Sequence, residues 1–309
     1  MIDRVLVGFD GSEQSRDALS LGNAIAGAEG ADLDVACVYE PESVFDGGDR
    51  YVFPVDERNA RAKQDAEMRR RFSEVEDELG GRRYQRRELW GSPARELTAI
   101  TEGTDIDLVV VGSTHEGSLG RVLPGSVGER LLHGAESAVA VAPLGFAKKK
   151  DFGVGLIGVG YTGTEESKLA LAWAESLARQ LGSRLRLIAA FPPLTVGWLP
   201  AEAGSEDYRE RVVGDLEETL SAASLGITDV GTECDVIERD PAEALAEQGR
   251  DLDLLVVGSR GYGPLRRVLL GGVSGQVIQH APCPVIVVPR GAKETLSEPK
   301  RPSYVAVES

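Results

Sequence analysis

Short apolar segments alternate along the chain with longer segments of mixed polarity. In the first half this pattern predicts strands at Arg4–Phe9, Leu33–Tyr39, Tyr84–Leu89, Leu108–Gly112 and Ala138–Ala142. The helices between them are predicted at Ser12–Ala28, Glu57–Leu79, Pro93–Thr101 and Ser126–His133. Ser92 and Pro93 stand at positions that suit the cap and the first turn of the third helix. Leu108–Gly112 is apolar throughout, which is typical of a central strand.

The second half of the chain repeats this alternation. Strands are predicted near Gly155–Val159, Arg184–Ala190, Thr232–Ile237, Leu254–Val257 and Val285–Val288. Helices are predicted near Glu165–Leu181, Glu206–Ala223, Pro241–Arg250 and Val273–His280. Strands that alternate with helices form parallel sheets covered by helices on both faces. The sequence therefore predicts an α/β fold in two tandem, doubly wound, Rossmann-like domains.

The two halves are related by duplication. Residues 112–143 and 258–289 align without a gap, and 13 of these 32 positions are identical, with several glycines in register. Each half also opens with an apolar run, a small polar turn and a helical segment. The predicted boundaries are a first domain at 1–145, a linker at 146–152 and a second domain at 153–290. The polar stretch 291–309 is predicted to be a largely disordered tail.

Charge and cysteine content narrow the classes of partner. The net charge is −16 over 309 residues, so the chain would be repelled by nucleic acid and by anionic membranes. The three cysteines, Cys37, Cys234 and Cys283, form no metal-ligand spacing and are interpreted as inert thiols. No signal-peptide pattern and no long apolar span is visible, so a cytoplasmic protein is expected.

Two kinds of polar turn follow the predicted strands. Asp10-Gly11-Ser12 follows the first strand, and Thr162-Gly163-Thr164 follows its counterpart. Glycine-rich segments follow the fourth strand of each half and lead into a short helix. Ligands of open parallel sheets bind beyond the carboxyl ends of the strands, and backbone N–H groups at a helix start favour an anion. These turns are therefore candidate phosphate-binding loops.

The spacing in these loops resembles the G-x2-G-x9-G-[S/T] signature of ATP-binding universal stress proteins. Gly258, Gly261 and Gly271 match its glycines in the second half, and Gly112, Gly125 and Ser126 match it in the first. The resemblance covers residues 1–290. It implies strand order 3-2-1-4-5, an adenine nucleotide with its phosphates on the glycine loop, and a homodimer of two-domain chains. The nucleotide-binding residues that it implies are Asp10, Val38, Val111, Gly112, Ser113, His115, Gly125, Ser126, Val127, Thr162, Ala190, Val257, Gly258, Ser259, Gly261, Gly271, Gly272, Val273 and Ser274.

Both halves depart from the signature, in different places. The first half has His115 at the second glycine, whereas the second half has Gly272 at the Ser/Thr position and Thr162 at the position of Asp10. A carboxylate suits a magnesium ion or a ribose hydroxyl. We therefore expect the first half to hold the phosphate site, with Asp10 as the candidate Mg²⁺ ligand, and the second half to bind more weakly.

Three functions are compatible with these residues. The favoured one is a non-catalytic stress-response protein that binds an adenine nucleotide. The second is an interaction or assembly module with degenerate sites, and the third is a slow ATP hydrolase, against which the absence of an evident general base counts. Asp10 could instead only cap a turn, and the glycines could only serve a tight crossover. The charged helix with Arg69, Arg70 and Arg71 is interpreted as solvated or partner-facing.

Overall fold

Twelve strands and eight helices are described in the computed structural model, which covers residues 2–40, 44–46, 50–52, 57–102, 105–113, 125–148, 153–193, 206–259, 272–289 and 292. The first half contains β1 (Arg4–Gly8), α1 (Glu13–Glu29), β2 (Asp32–Tyr39), β3 (Val44–Asp46), β4 (Arg50–Val52), α2 (Glu57–Leu79), β5 (Gln85–Trp90), α3 (Pro93–Thr101), β6 (Leu108–Gly112), α4 (Ser126–Gly134) and β7 (Ala138–Ala142). The second half contains β8 (Leu156–Gly160), α5 (Glu165–Leu181), β9 (Arg184–Phe191), α6 (Glu206–Leu225), β10 (Thr232–Glu238), α7 (Pro241–Gln248), β11 (Leu254–Gly258), α8 (Gly272–His280) and β12 (Val285–Val288).

Ten strands form one sheet in the order β10-β9-β8-β11-β12-β7-β6-β1-β2-β5. Numbered within each half, the strands of this sheet have the order 3-2-1-4-5 in both halves, and all pairs that this sheet forms inside a half are parallel. The order therefore reverses beside β1 and β8, as the resemblance implied. The halves meet where β7 and β12 pair antiparallel, with Ile286 opposite Ala140.

Each face of the sheet carries one apolar core that runs through both halves. On one face, α1, α2, α5 and α6 cover residues such as Val7, Val35 and Ile157. On the other, α3, α4, α7 and α8 cover residues such as Leu6, Val109 and Leu255. All five residues of β7 are buried, which explains why this strand is apolar throughout. Within the described residues, no helix has the length and apolar content needed to cross a membrane.

The start of the predicted linker packs firmly against the first half. Phe146 is 1% exposed and lies in the core beneath α1. The buried carboxylate of Asp17 accepts the backbone N–H groups of Gly145, at 2.8 Å, and Ala147, at 2.7 Å. Lys148 pairs with Glu13 at the start of the same helix. Residues 145–148 are thus part of the first unit, whereas 149–152 and most of the proposed tail lie outside the described residues.

Other local expectations differ from the structure. Ser92 occupies the N-cap position of α3, but its side chain makes no capping hydrogen bond, so the predicted cap was wrong; Pro93 does lie in the first turn. The antiparallel pair β3–β4 was not predicted at all. The three cysteines are free, with Cys37 and Cys283 buried and Cys234 exposed. Burial raises the pKa of the Cys37 thiol to about 12, which agrees with an inert side chain.

A buried carboxyl at the end of α1 yields a prediction about pH. Glu29 is 6% exposed, its Oε2 accepts the N–H of Ile2 at 3.2 Å, and burial raises its pKa above 4.5. Below the pKa that Glu29 has in the unfolded chain, the carboxyl is protonated in both states and its favourable contribution to the free energy of unfolding is complete. That contribution is lost as the pH rises through the higher pKa of the folded state. We therefore expect Glu29→Gln to stabilise the fold at pH 7 by about 1 kcal/mol, the typical size of a single-site effect. This gain should vanish at low pH.

Urea unfolding at pH 4 and pH 7 measures this difference. Glu136→Gln is the matched control because Glu136 is exposed, and it should change neither midpoint. An effect of Glu29→Gln that is equal at both pH values would contradict the assignment of a burial penalty to the charged carboxylate.

Candidate functional site

A cleft of about 680 Å³ opens at the carboxyl ends of the first-half strands, where the strand order reverses. Parallel sheets offer ligand sites at this place because the connections that follow two neighbouring strands run to opposite faces of the sheet and leave a crevice between them. Its size lies within the range of small-molecule sites. The described lining residues are Gly8, Phe9, Asp10, Ser12, Gln14, Ser15, Ala36, Val38, Pro93, Leu97, Val111, Gly112, Ser113, Gly125, Ser126, Val127, Gly128 and Glu129.

The cleft joins eight of the residues that the sequence nominated in the first half. They are Asp10, Val38, Val111, Gly112, Ser113, Gly125, Ser126 and Val127. Their role in binding remains a prediction. His115, the ninth first-half residue, lies outside the described residues, as do Gly261 and Gly271 of the second half.

The turn between β1 and α1 is built by its own side chains. Gly11 has a φ of 85°, which suits glycine, and the Oδ1 atom of Asp10 accepts the N–H of Ser12 at 2.9 Å. Ser12 caps α1 by accepting the N–H of Ser15 at 3.2 Å. In the second half Gly163 has a φ of 76° and Thr164 caps α5 in the same way. Asp10 therefore does support a turn, and it also lines the cleft.

The carboxylate of Asp10 is strongly biased towards its charged form. Burial by itself raises its pKa, but hydrogen bonds from Ser12 and Ser15 and the positive charge of Arg71 outweigh burial. The pKa is therefore lower than the usual 3.8. Such a group is a good hydrogen-bond acceptor or cation ligand at neutral pH. It is a poor general base, because an effective base has a pKa near the working pH.

Gly112 is required by close packing between β6 and the first turn of α1. A Cβ atom at Gly112 would lie 2.1 Å from the carbonyl oxygen of Gln14, and one at Gly258 would lie 2.4 Å from that of Glu166. Neither Gly112 nor Gly258 has a positive φ, and Gly125 has a φ of −67°. Positive φ is therefore not the reason for glycine at these three positions. Gly112 and Gly258 instead allow a helix start to reach the strand end.

The start of α4 faces the cleft as a source of backbone donors. Gly125 is its N-cap and contributes no side chain, so no capping group occupies the first N–H groups. Ser126 and Val127 form the first turn and line the cleft. The hydroxyl of Ser113 is completely buried at the cleft wall and has no hydrogen-bond partner within the described residues. This edge can accept an anion or another group rich in acceptors.

Four buried apolar side chains form a part of the cleft lining that we call the apolar floor. Ala36 and Val38 on β2, Leu97 on α3 and Val111 on β6 are all less than 9% exposed. A flat apolar group bound here would cover these side chains, whereas the polar turn and the start of α4 line other parts of the same cleft. Ala36 and Leu97 were missed in the sequence because they belong to the core pattern and carry no polar signal.

The second half places its nominated residues at the corresponding strand ends, with different side chains. Thr162 is exposed after β8, Val257 and Ser259 are buried at the end of β11, and Gly272 begins α8. Ala190 is half-buried near the end of β9, and Val273 and Ser274 lie in the first turn of α8. The strand registers Gly8↔Ala36 and Gly160↔Ile188 show that Ile188 takes the place of Ala36. This larger side chain stands where the first half has the floor of its cleft.

The charged helix α2 is not simply a solvated surface. Its Arg71 side chain is 17% exposed, and its Nη1 atom donates to the carbonyl oxygen of Val38 at 3.0 Å. The interpretation of Arg69, Arg70 and Arg71 as a solvated or partner-facing group was therefore wrong for Arg71. Among the described residues no cluster of three or more His, Cys, Asp or Glu side chains could hold a metal. Asp10 could bind a magnesium ion only with other ligands from water or a phosphate.

Comparison with known proteins agrees with this architecture. The family model described as Universal stress protein family matches residues 1–143 and again residues 155–289. A universal stress protein of Mycolicibacterium smegmatis is 31% identical over 288 residues, which cover 92% of this chain and 96% of that protein. A universal stress protein of Thermus aquaticus is 33% identical over 133 residues, which cover 41% of this chain and 93% of that protein.

A solved structure has the same arrangement of both halves. The crystal structure of a universal stress protein from Archaeoglobus fulgidus DSM 4304 aligns with a TM-score of 0.66 and 19% identity, covering 94% of this chain and 99% of that chain. This likeness concerns the fold. Together with the two family matches and the relative that spans nearly the whole chain, it establishes that this chain belongs to the universal stress protein family, as a tandem two-domain member.

Proposed function

We propose that the first half binds an adenine nucleotide and that the protein acts as a non-catalytic, cytoplasmic stress-response regulator. The observation that carries this proposal is the first-half cleft, which combines an apolar floor with a polar turn and an uncapped helix start. A nucleotide has the same division between an apolar base and a charged tail. Occupancy would bias the shape or the predicted homodimerisation of the chain by its difference in affinity for the two states.

The residues present fit such a ligand. The base would pack on Ala36, Val38 and Val111, and the phosphates would lie at the start of α4 near Ser126. The buried Ser113 hydroxyl would gain the partner that it lacks among the described residues. Asp10 would accept a hydrogen bond from a ribose hydroxyl or hold a magnesium ion, which would neutralise phosphate charge. We expect weaker binding in the second half, where Thr162 and Ile188 replace Asp10 and Ala36.

Binding is favoured over hydrolysis by the ionisable groups at the cleft. Among its described lining residues, only Asp10 and Glu129 are ionisable. The depressed pKa of Asp10 makes it a weak base. Glu129 lies in the first turn of α4 and is exposed. Turnover of ATP above a buffer blank would instead support the slow-hydrolase alternative.

The first experiment is to purify the chain without added nucleotide, denature it and identify released small molecules by mass spectrometry. We expect about one adenine nucleotide per chain. Two per chain would show that the half-by-half ranking is wrong. No released nucleotide and no calorimetric signal with millimolar ATP and magnesium would overturn the proposal and favour an assembly module.

Substitution of Asp10 tests its charge separately from its turn geometry. Asp10→Asn retains an acceptor for the Ser12 N–H but loses the negative charge, and Asp10→Ala loses both. If the carboxylate accepts a ligand hydroxyl or a cation, both variants should lose about 10–100-fold in affinity for magnesium ATP, since a hydrogen bond to a charged group contributes roughly 1.5–3 kcal/mol. Isothermal titration calorimetry measures this loss. Thr162→Ala is the control in the second half, and an equal loss there would contradict the assignment.

A further inference from the structure

A series of ion pairs runs along α2 and joins the two segments that border the cleft. Arg71 Nε donates to Glu67 Oε1 at 3.0 Å, and Arg70 Nη2 contacts the same oxygen at 2.7 Å. Arg70 also pairs with Glu74, whose Oε2 atom lies 2.8 Å from Arg16 Nη2 on α1. The series therefore connects Arg71 to Arg16 through three side chains of alternating charge. We refer to these five residues as the α2 network.

Both ends of the α2 network hold backbone carbonyl groups. Arg71 Nη1 donates to the carbonyl of Val38 at 3.0 Å, and Arg16 Nη1 donates to the carbonyl of Gly11 at 2.8 Å. Val38 lines the cleft at the end of β2. Gly11 lies in the turn between Asp10 and Ser12, which both line the cleft. The network thus ties the end of β2 to the β1–α1 turn across the outside of the site.

The solvent exposure of these ion pairs and the geometry of their contacts indicate what the network does. The Arg70 and Glu67 side chains are 55% and 33% exposed, and exposed ion pairs contribute little to stability because water and salt screen them. Hydrogen bonds from Arg70 lower the pKa of Glu67 to about 2, so this carboxylate is charged at neutral pH. The network can nevertheless fix positions, because each guanidinium makes directional contacts with at least two partners, and Arg16 also pairs with Glu78 at 3.5 Å.

The second half differs at the corresponding place. The carboxylate oxygen of Glu74 lies 3.3 Å from where a Cβ atom of Gly11 would stand, whereas the methyl group of Thr219 lies 3.2 Å from the equivalent point at Gly163. A methyl group cannot link two guanidinium groups. Among the described residues, the bridge through Glu74 is therefore a feature of the first half, in which the cleft described above lies.

We propose that Arg71 and Arg16 are positioning residues for the first-half nucleotide site, held in place by Glu67, Arg70 and Glu74. They set the separation between the Val38 segment and the Asp10 turn, so that the ligand does not have to order these segments itself. This inference rests on the proposed nucleotide binding. It extends the site to a helix that lines no described part of the cleft.

Positioning has a consequence that direct charge attraction does not. If Arg71 acts through Val38 and the Asp10 turn, its loss should weaken the binding of uncharged adenosine and the binding of ATP by similar factors. If Arg71 attracted phosphates directly, its loss should weaken the binding of ATP and leave the affinity for adenosine unchanged. Loss of preorganisation at Arg71 should lower affinity roughly tenfold, which corresponds to about 1.4 kcal/mol.

The test compares Arg71→Met, Arg71→Lys and Arg16→Met with the matched control Arg69→Met, which removes an exposed arginine of the same helix. Calorimetry with adenosine and with ATP gives affinities, and urea unfolding gives stability. We expect Arg71→Met and Arg16→Met to lose about tenfold for both probes with urea midpoints close to the wild type. Arg69→Met should match the wild type, and Arg71→Lys should be intermediate because it keeps one charged donor.

Each other outcome overturns the inference. Wild-type affinity for both probes in Arg71→Met and Arg16→Met would remove any positioning role while the proposed function stands. A loss confined to ATP would assign Arg71 to direct phosphate attraction. A loss that follows a lowered urea midpoint, and that Arg71→Lys does not recover, would assign it to stability alone. If the wild type binds neither probe, the proposed function itself fails.

Discussion

Gly112→Ala will destabilise the first half by about 3 kcal/mol or more, the upper end of the cost of overfilling a packed interior. The added Cβ atom would lie 2.1 Å from the carbonyl oxygen of Gln14, and it would also meet the carbonyl carbon and the Cβ atom of Gln14. These are mostly backbone atoms in the first turn of α1, and they cannot move aside as a flexible side chain can. Either α1 shifts away from β6 or the strand end is displaced.

Urea unfolding followed by circular dichroism measures this loss. Gly258→Ala should behave similarly in the second half, because its Cβ atom would lie 2.4 Å from the carbonyl oxygen of Glu166. Gly272→Ala is the control, since no atom of the described residues lies within 4 Å of the added atom. A stable Gly112→Ala that binds nucleotide less well would show that the glycine serves the ligand rather than the packing.

The same glycine shows how far the sequence could be interpreted. The signature nominated Gly112 as a nucleotide-binding residue, which remains a prediction, and the structure places it at the end of β6 in the cleft lining. The physical reason could not be found in the sequence, since the contact involves Gln14, almost a hundred positions earlier. Local patterns predict which strand ends and where, but not which distant backbone approaches it.

Strong periodic patterns predicted the ten strands of the main sheet and all eight helices, and the resemblance predicted their order. The β3–β4 pair was missed because three-residue strands are too short to show alternation. Arg71 was misinterpreted because net polarity describes a helix as a whole. The buried residues Met68, Phe72 and Val75 of α2 form an apolar stripe beside which Arg71 lies. Their spacing was the signal in the sequence that could have placed Arg71 near the core.

Both halves keep the caps, the sheet order and the glycine packing that the fold needs, and they diverge where only a ligand would require identity. Ser12 and Thr164 cap equivalent helices with the same geometry. Asp10 and Thr162, and Ala36 and Ile188, differ in charge and in volume. One half of a duplicated chain can lose a site without loss of structure, because the fold depends on the first group of residues and not on the second.

Ala36→Ile should abolish nucleotide binding in the first half, with a loss of at least thirtyfold (about 2 kcal/mol). Ala36 is 1% exposed and its side chain lines the cleft, so three added carbon atoms would enter the space proposed for the base. Ile188 shows that the fold accepts isoleucine at this register position. Stability should therefore change little. Calorimetry with ATP and adenosine measures the loss, and Ala36→Val should give an intermediate one.

The reciprocal variant, Ile188→Ala, separates volume from chemistry in the second half. Removing a buried isoleucine side chain typically costs about 2–5 kcal/mol through lost burial and the cavity left behind. If steric filling alone distinguishes the halves, this destabilised variant should gain affinity for adenosine, which needs no magnesium partner. If adenosine still does not bind, the absence of a carboxylate at Thr162, the counterpart of Asp10, matters more than the volume of Ile188. Full ATP affinity in Ala36→Ile would contradict the placement of the base against β2 and would require a different site.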